Sequence, residues 1–127
     1  MKKIAFIVWN YTVTGGIERV LTNLANELCD YYDVHIISLT KSEDRVPYKI
    51  DERVNRVYFA TDEPMRGREV IKKGGKGVRR YIKDNGIDTV LLMGFQSSMP
   101  AIAMLKFRSR TRLIFCEHEA LMSRWHE

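Results

Sequence analysis

An unbroken apolar run, Ile4-Ala5-Phe6-Ile7-Val8-Trp9, suits a strand covered on both faces. From Ile17 the spacing lengthens: Ile17, Val20, Leu21, Leu24, Ala25 and Leu28 recur as one stripe of an amphipathic helix. The alternation continues along the chain. Strands are predicted at 33–39, 54–59, 87–93 and 112–116, with a polar loop at 40–53 that holds Pro47 and an irregular strand near Tyr48–Ile50. After a loop at 61–67, a basic helix is predicted from about Arg68 to Asp84. Gly74-Gly75 and Gly77 interrupt its stripe of Val70, Ile71, Val78, Tyr81 and Ile82. A helix-interior glycine costs on the order of 1 kcal/mol against alanine, so a break or kink is expected there. Asn85-Gly86 supplies a glycine stop. Ser98 and Pro100 start a short buried helix through Ala101, Ile102, Leu105 and Phe107, and Ala120 to Glu127 reads as a helical tail. This pattern specifies an α/β fold, a Rossmann-like doubly wound parallel sheet in a single domain. His35 reads as a residue of the second strand facing helix or solvent, with no partner visible in the sequence.

In such sheets ligands bind outside the carboxyl ends of the strands. Three loops leave those ends here: Asn10 to Gly16, Gly94-Phe95-Gln96-Ser97, and Glu117-His118-Glu119. They carry glycines, an amide, small hydroxyls and a histidine flanked by carboxylates. Gly15-Gly16 stands at the predicted N-terminus of the first helix. Glycine there opens backbone angles closed to other residues and leaves no side chain between the amides and an anion. Spacing leaves two readings open, a tight turn with a glycine cap or an anion cradle. The loop is neither G-x-G-x-x-G nor a P-loop.

Composition narrows the class. A chain of 127 residues with 45% hydrophobic content supports one globular domain. No apolar run approaches the roughly 20 residues that span a bilayer, and the short run after Lys2-Lys3 lacks a cleavage site, so no signal peptide is expected. Cys29 and Cys116 show no metal-like spacing, which points to buried free thiols in a reducing cytosol. The net charge of +5 favours anionic partners. Aromatics are not interleaved with the bases, which argues against nucleic acid. Much of the positive charge falls on the 68–84 helix, whose polar face holds Lys72, Lys73, Lys76, Arg79 and Arg80 with Arg68 and Lys83. A solvated face and a surface for anionic membrane headgroups both fit that distribution.

Gly15-Gly16-Ile17-Glu18-Arg19-Val20-Leu21 and Asn23-Leu24-Ala25-Asn26-Glu27-Leu28 resemble the first βα unit of a large family of retaining glycosyltransferases. That family includes bacterial capsule, lipopolysaccharide and exopolysaccharide enzymes, the glycosyltransferase family 4 type. It has the GT-B architecture, two Rossmann-like domains facing a cleft. The resemblance covers residues 1–127 as the N-terminal, acceptor-binding domain, and implies a C-terminal nucleotide-sugar-binding domain that this chain lacks. Glu117-His118-Glu119 resembles the segment after the last strand of that domain, where Glu-His-Asn is frequent. The resemblance implies His118 as a catalytic positioning or proton-handling group. It also implies substrate binding by Gly15, Gly16, Glu18, Arg19, Gln96 and Glu119, with Gly16 bringing a backbone N–H close to the nucleotide diphosphate. Glu18 and Arg19 fit helix-start electrostatics equally. Glu119 in place of Asn alters the hydrogen-bond pattern. The spacing of Glu119 and Glu127 matches the family's donor-domain E-x7-E pattern in the wrong context and is read as coincidence.

The implied reaction transfers a glycosyl unit from a nucleotide-sugar donor to a glycan or lipid-linked acceptor, with no metal required and no cofactor in this chain. The implied place is the cytoplasm, at or near the inner membrane face. The alternative is a non-enzymatic α/β module on an anionic membrane surface. Receiver-like and flavodoxin-like readings fail. Asn10-Tyr11 is not an acidic cluster, and Thr12 and Thr14 make a thin phosphate loop.

Overall fold

A computed structural model of the chain describes residues 2–12, 15–41, 48–60, 67–93 and 111–116; within them the side chains of residues 60, 67–74 and 115–116 are left aside. The elements are β1 (Lys3–Asn10), α1 (Gly16–Leu28), β2 (Asp33–Thr40), β3 (Asn55–Ala60), α2 (Gly67–Asn85), β4 (Thr89–Met93) and β5 (Arg112–Cys116). The five strands form one sheet in the order β3-β2-β1-β4-β5, with every pairing parallel. This is the doubly wound arrangement expected. The chain moves outward from β1 on one side, then returns to its other side, so the order reverses between β1 and β4.

The apolar run of β1 is continuous because both faces of the sheet are covered. Ala5 and Ile7 join Ile37, Leu39, Val90 and Leu92 beneath Val78 and Ile82 of α2. Ile4, Phe6 and Val8 join Val34, Ile36 and Met93 beneath Val20, Leu21 and Ala25 of α1. Period-two side-chain alternation thus divides one strand between two cores. Cys29 is a buried free thiol, as expected, and burial pushes its titration up. Cys116 has no described side chain.

Two expectations are corrected. α2 is continuous over its 19 residues, with no break at Gly74-Gly75 or Gly77. A Cβ at Gly77 would stand 2.5 Å from Cδ1 of Phe59, so glycine lets the β3 aromatic lie against the helix. Close packing outweighs propensity at this position. Second, residues 48–54 form no strand. They run along α1 as a strap. The Asn26 amide donates to the Lys49 carbonyl (3.0 Å) and accepts from the Asp51 N–H (2.7 Å). Arg53 closes the strap on Asp51 (3.0 Å) and Asp30 (2.7 Å).

His35 is a strand residue facing a helix, as expected, and it has partners distant in the sequence. It is buried against α2, with Nδ1 2.6 Å from the Tyr81 hydroxyl and Nε2 3.2 Å from the Asp33 carboxylate. The second contact is close but not aligned as a hydrogen bond. This cluster lies at the start of β2, away from the carboxyl ends of the strands.

α2 ends as its glycine stop implies. Gly86 has φ of 61°, Ile87 N–H reaches the Ile82 carbonyl (3.0 Å), and Gly86 N–H reaches that of Lys83 (3.3 Å). This is the paired bonding of a Schellman cap, with Ile82 and Ile87 packed together in the α2-side core.

Candidate functional site

The reversal of strand order places the loop after β1 at the crevice where ligands bind in this class of sheet. Its described residues are built on buried hydroxyls. Tyr11 is fully buried; its N–H donates to Ser38 Oγ (2.9 Å) and its phenol pairs with Thr22 Oγ1 at 2.5 Å. Thr22 gives its own proton to the Glu18 carbonyl (2.7 Å), so the tyrosine is the donor in that pair. Burial raises the Tyr11 phenol above its ordinary value, which keeps it protonated. Ser38 Oγ donates to the Thr40 carbonyl and Thr40 Oγ1 to the Trp9 carbonyl. Asn10 folds back on its own loop, its Oδ1 accepting from Thr12 N–H (2.9 Å) and Thr12 Oγ1 (2.5 Å).

This scaffold delivers the chain to Gly15, the N-cap of α1. Gly15 has φ −157° and ψ 176°, extended angles open to any residue, and no side chain caps the helix. The conformational reason for glycine therefore fails at Gly15, and the steric reason stands. A Cβ there would lie 3.0 Å from Oε1 of Glu18, whose carboxylate folds back over the turn. Glu18 is 8% exposed, Gly16 and Arg19 are exposed, and Arg19 N–H makes the first helical bond to the Gly15 carbonyl (3.1 Å). That carbonyl also accepts from the Tyr48 hydroxyl (3.3 Å), at the leading end of the strap.

The structure therefore brings together Gly15, Gly16, Glu18 and Arg19. A negative side chain near the helix start is favoured by the dipole and the unpaired amides there. Gln96, His118 and Glu119 lie outside the described residues. Lys72 and Lys73 lie on α2 with side chains outside the description, while Lys76, Arg79 and Arg80 are exposed on its later half. Among the described residues no group of His, Cys, Asp and Glu is placed to hold a metal, and no helix is long and apolar enough to cross a membrane. Sequence reasoning missed Tyr11, Thr22, Ser38 and Tyr48. Asn10 two residues before Thr12 was a usable signal for the turn. Tyr48 had none, because its contact depends on the path of the strap.

Residues 14–127 match the model of Glycosyltransferase Family 4. The chain belongs to that family. It is also similar to an uncharacterised glycosyltransferase of Haemophilus influenzae, 32% identical over 94 residues, 73% of this chain and 26% of that protein. Among solved structures it is similar to WaaG, a glycosyltransferase involved in lipopolysaccharide biosynthesis, with a TM-score of 0.56 at 14% identity. That superposition covers 72% of this chain and 23% of WaaG. The chain spans about a quarter of the length of both relatives. Its fold is that of the N-terminal Rossmann-like domain of a GT-B glycosyltransferase.

Proposed function

We propose that this chain is the acceptor-side domain of a retaining glycosyltransferase. The enzyme moves a sugar from a nucleotide-sugar to a glycan or lipid-linked acceptor in bacterial surface polysaccharide biosynthesis, in the cytoplasm. The observation that carries the reading is the Gly15-Gly16 turn at the strand-order reversal of a family 4 chain. The likeness to WaaG, which acts in lipopolysaccharide biosynthesis, supports the class of pathway.

Chemically, the leaving diphosphate needs positive potential and N–H donors in a site sheltered from water. The first-turn amides of α1 supply donors from this side, and a C-terminal nucleotide-sugar-binding domain supplies the rest. His118 positions the reacting groups or handles a proton, and Gln96 and Glu119 bind substrate. No metal is required. The 127 residues alone are expected to fold and to transfer no sugar from a panel of nucleotide-sugars, whereas the chain joined to its donor-binding domain transfers with the anomeric configuration kept. Turnover by the chain alone, or an inverted product anomer, overturns this reading.

A second reading concerns the partner surface. Lys76, Arg79, Arg80 and Lys83 line an open depression on α2 whose acid is Asp84, 3.6 Å from Arg80. The Arg80 side chain is 85% exposed, and such a pair contributes little against solvent. This face supports peripheral binding to anionic headgroups. Lys76→Gln and Arg80→Gln are each expected to weaken partitioning onto phosphatidylglycerol vesicles about fivefold, since each cation near such a surface contributes about 1 kcal/mol.

A further inference from the structure

The peptide between Gly15 and Gly16 carries one of the N–H groups that the proposed function turns toward the diphosphate. It joins two glycines, so no Cβ on either side limits its rotation, and a glycine N-cap brings no side chain to hold it. Its direction has to be set by its hydrogen bonds. A peptide unit is planar and trans, so its C=O and N–H point opposite ways, and holding the oxygen aims the hydrogen. The Gly15 oxygen is held twice. Arg19 N–H donates to it from within the helix (3.1 Å), which turns the Gly16 N–H out of the first turn, where no helical carbonyl meets it. The Tyr48 hydroxyl donates to the same oxygen from outside the helix (3.3 Å).

Tyr48 does this from a fixed base. The carbonyl of the next residue, Lys49, accepts from the Asn26 amide (3.0 Å), and the Asp51 N–H returns to Asn26 (2.7 Å). Between them Ile50 packs on the α1-side core, and Arg53 ties Asp51 to Asp30 beyond the end of α1. The phenol is thus carried by a segment fastened to the same helix whose first peptide it holds. A bond of this length adds little to folding, but hydrogen bonds weaken steeply when the donor is misaligned. A donor aimed in advance needs no reorganisation as charge develops on the departing diphosphate. A second bond on the oxygen also polarises the amide, which makes its N–H the stronger donor. We infer that Tyr48 is a positioning residue of the transfer: its hydroxyl, through the Gly15 carbonyl, aims and polarises the Gly16 N–H toward the leaving nucleoside diphosphate. This rests on the glycosyltransferase reading above and adds to it a residue of the strap, outside the three strand-end loops.

The test uses the chain joined to its donor-binding domain, with the nucleotide-sugar of the panel that the wild-type protein turns over fastest. Tyr48→Phe keeps the ring and removes the donor, whereas Tyr48→Ala removes both. Tyr48→Phe is expected to lower kcat about fivefold, as far as Tyr48→Ala does, with the acceptor KM unchanged. In the 127-residue chain it shifts the Gly16 amide resonance and leaves the circular dichroism spectrum as it was. A kcat kept in Tyr48→Phe and lost only in Tyr48→Ala makes the ring a packing element and overturns the inference, with the transferase reading intact. A loss that falls on the acceptor KM, or that leaves the Gly16 resonance unmoved, overturns it in the same way. Absence of transfer by the wild-type protein overturns the transferase reading and the role of Tyr48 with it.

Discussion

Two opposing energies meet at Gly77. Glycine inside a helix costs on the order of 1 kcal/mol relative to alanine. Alanine here would place its Cβ 2.5 Å from Cδ1 and 2.7 Å from Cε1 of Phe59, and overpacking of that kind costs about 1–3 kcal/mol. The clash wins. Gly77→Ala is expected to lower stability by about 1 kcal/mol in urea titration, and to become neutral or stabilising in a Phe59→Leu background. An equal loss in both backgrounds would remove Phe59 as the cause. Gly86 asks a different question. Nothing lies within 4 Å of its added Cβ, yet its φ of 61° disfavours any side chain, so Gly86→Ala costs about 1 kcal/mol through the backbone. Gly15 shows a third reason for the same residue type, room for the Glu18 carboxylate.

At the scale of elements, the 48–54 strap joins the end of α1 to the turn at its start. Its lower end is electrostatic. The Arg53 side chain and backbone N–H hold the Asp51 carboxylate well below the usual carboxylate range. A carboxylate depressed in the folded state contributes stability above its unfolded value, near about 4, and loses it as pH falls through the folded value. Arg53→Met is therefore expected to lower Tm at neutral pH, with the gap to wild type closing in acid. A gap that stays constant well below about pH 4, where the unfolded carboxylate is protonated, would assign the loss to packing of the arginine stem instead. The upper end is the weaker bond from Tyr48 to Gly15. Tyr48→Phe should cost less than about 1 kcal/mol and still shift the Gly15 and Gly16 amide resonances. A spectrum unchanged there would detach the strap from the turn.

The strap marks where sequence stops being informative. β1, α1, β2 and β5 were legible almost to the residue because each carries its own periodicity. The continuity of α2 was not, because Phe59, eighteen positions before Gly77, explains the glycine. His35 looked isolated for the same reason, its partner Tyr81 being 46 positions away. At the candidate site, Gly15 and Gly16 could be found from their place between strand and helix. The buried hydroxyls of Tyr11, Thr22 and Ser38 could not, since their pairing exists only once β2 lies beside β1.

The whole molecule depends on one central strand serving two cores, and this makes the crevice as stable as the sheet. Consecutive residues of β2 show the coupling: Ile36 is buried on the α1 side and Ile37 on the α2 side. Trimming a methyl from either costs about 0.5–1.5 kcal/mol. If the faces unfolded separately, Ile36→Val would shift one transition and Ile37→Val another. Because β1 and β2 carry both faces on the same backbone ladder, neither layer can leave without exposing the other. Each variant is therefore expected to shift a single urea transition with unchanged slope, followed alike by circular dichroism and by Trp9 fluorescence in a Trp125→Phe background. The double variant should add the two losses to within about 0.5 kcal/mol. Two resolved transitions, or probes that disagree on the midpoint, would mean that α1 and its glycine turn open independently of the sheet. The amides at the crevice would then be presented only part of the time, at a corresponding cost in ligand affinity.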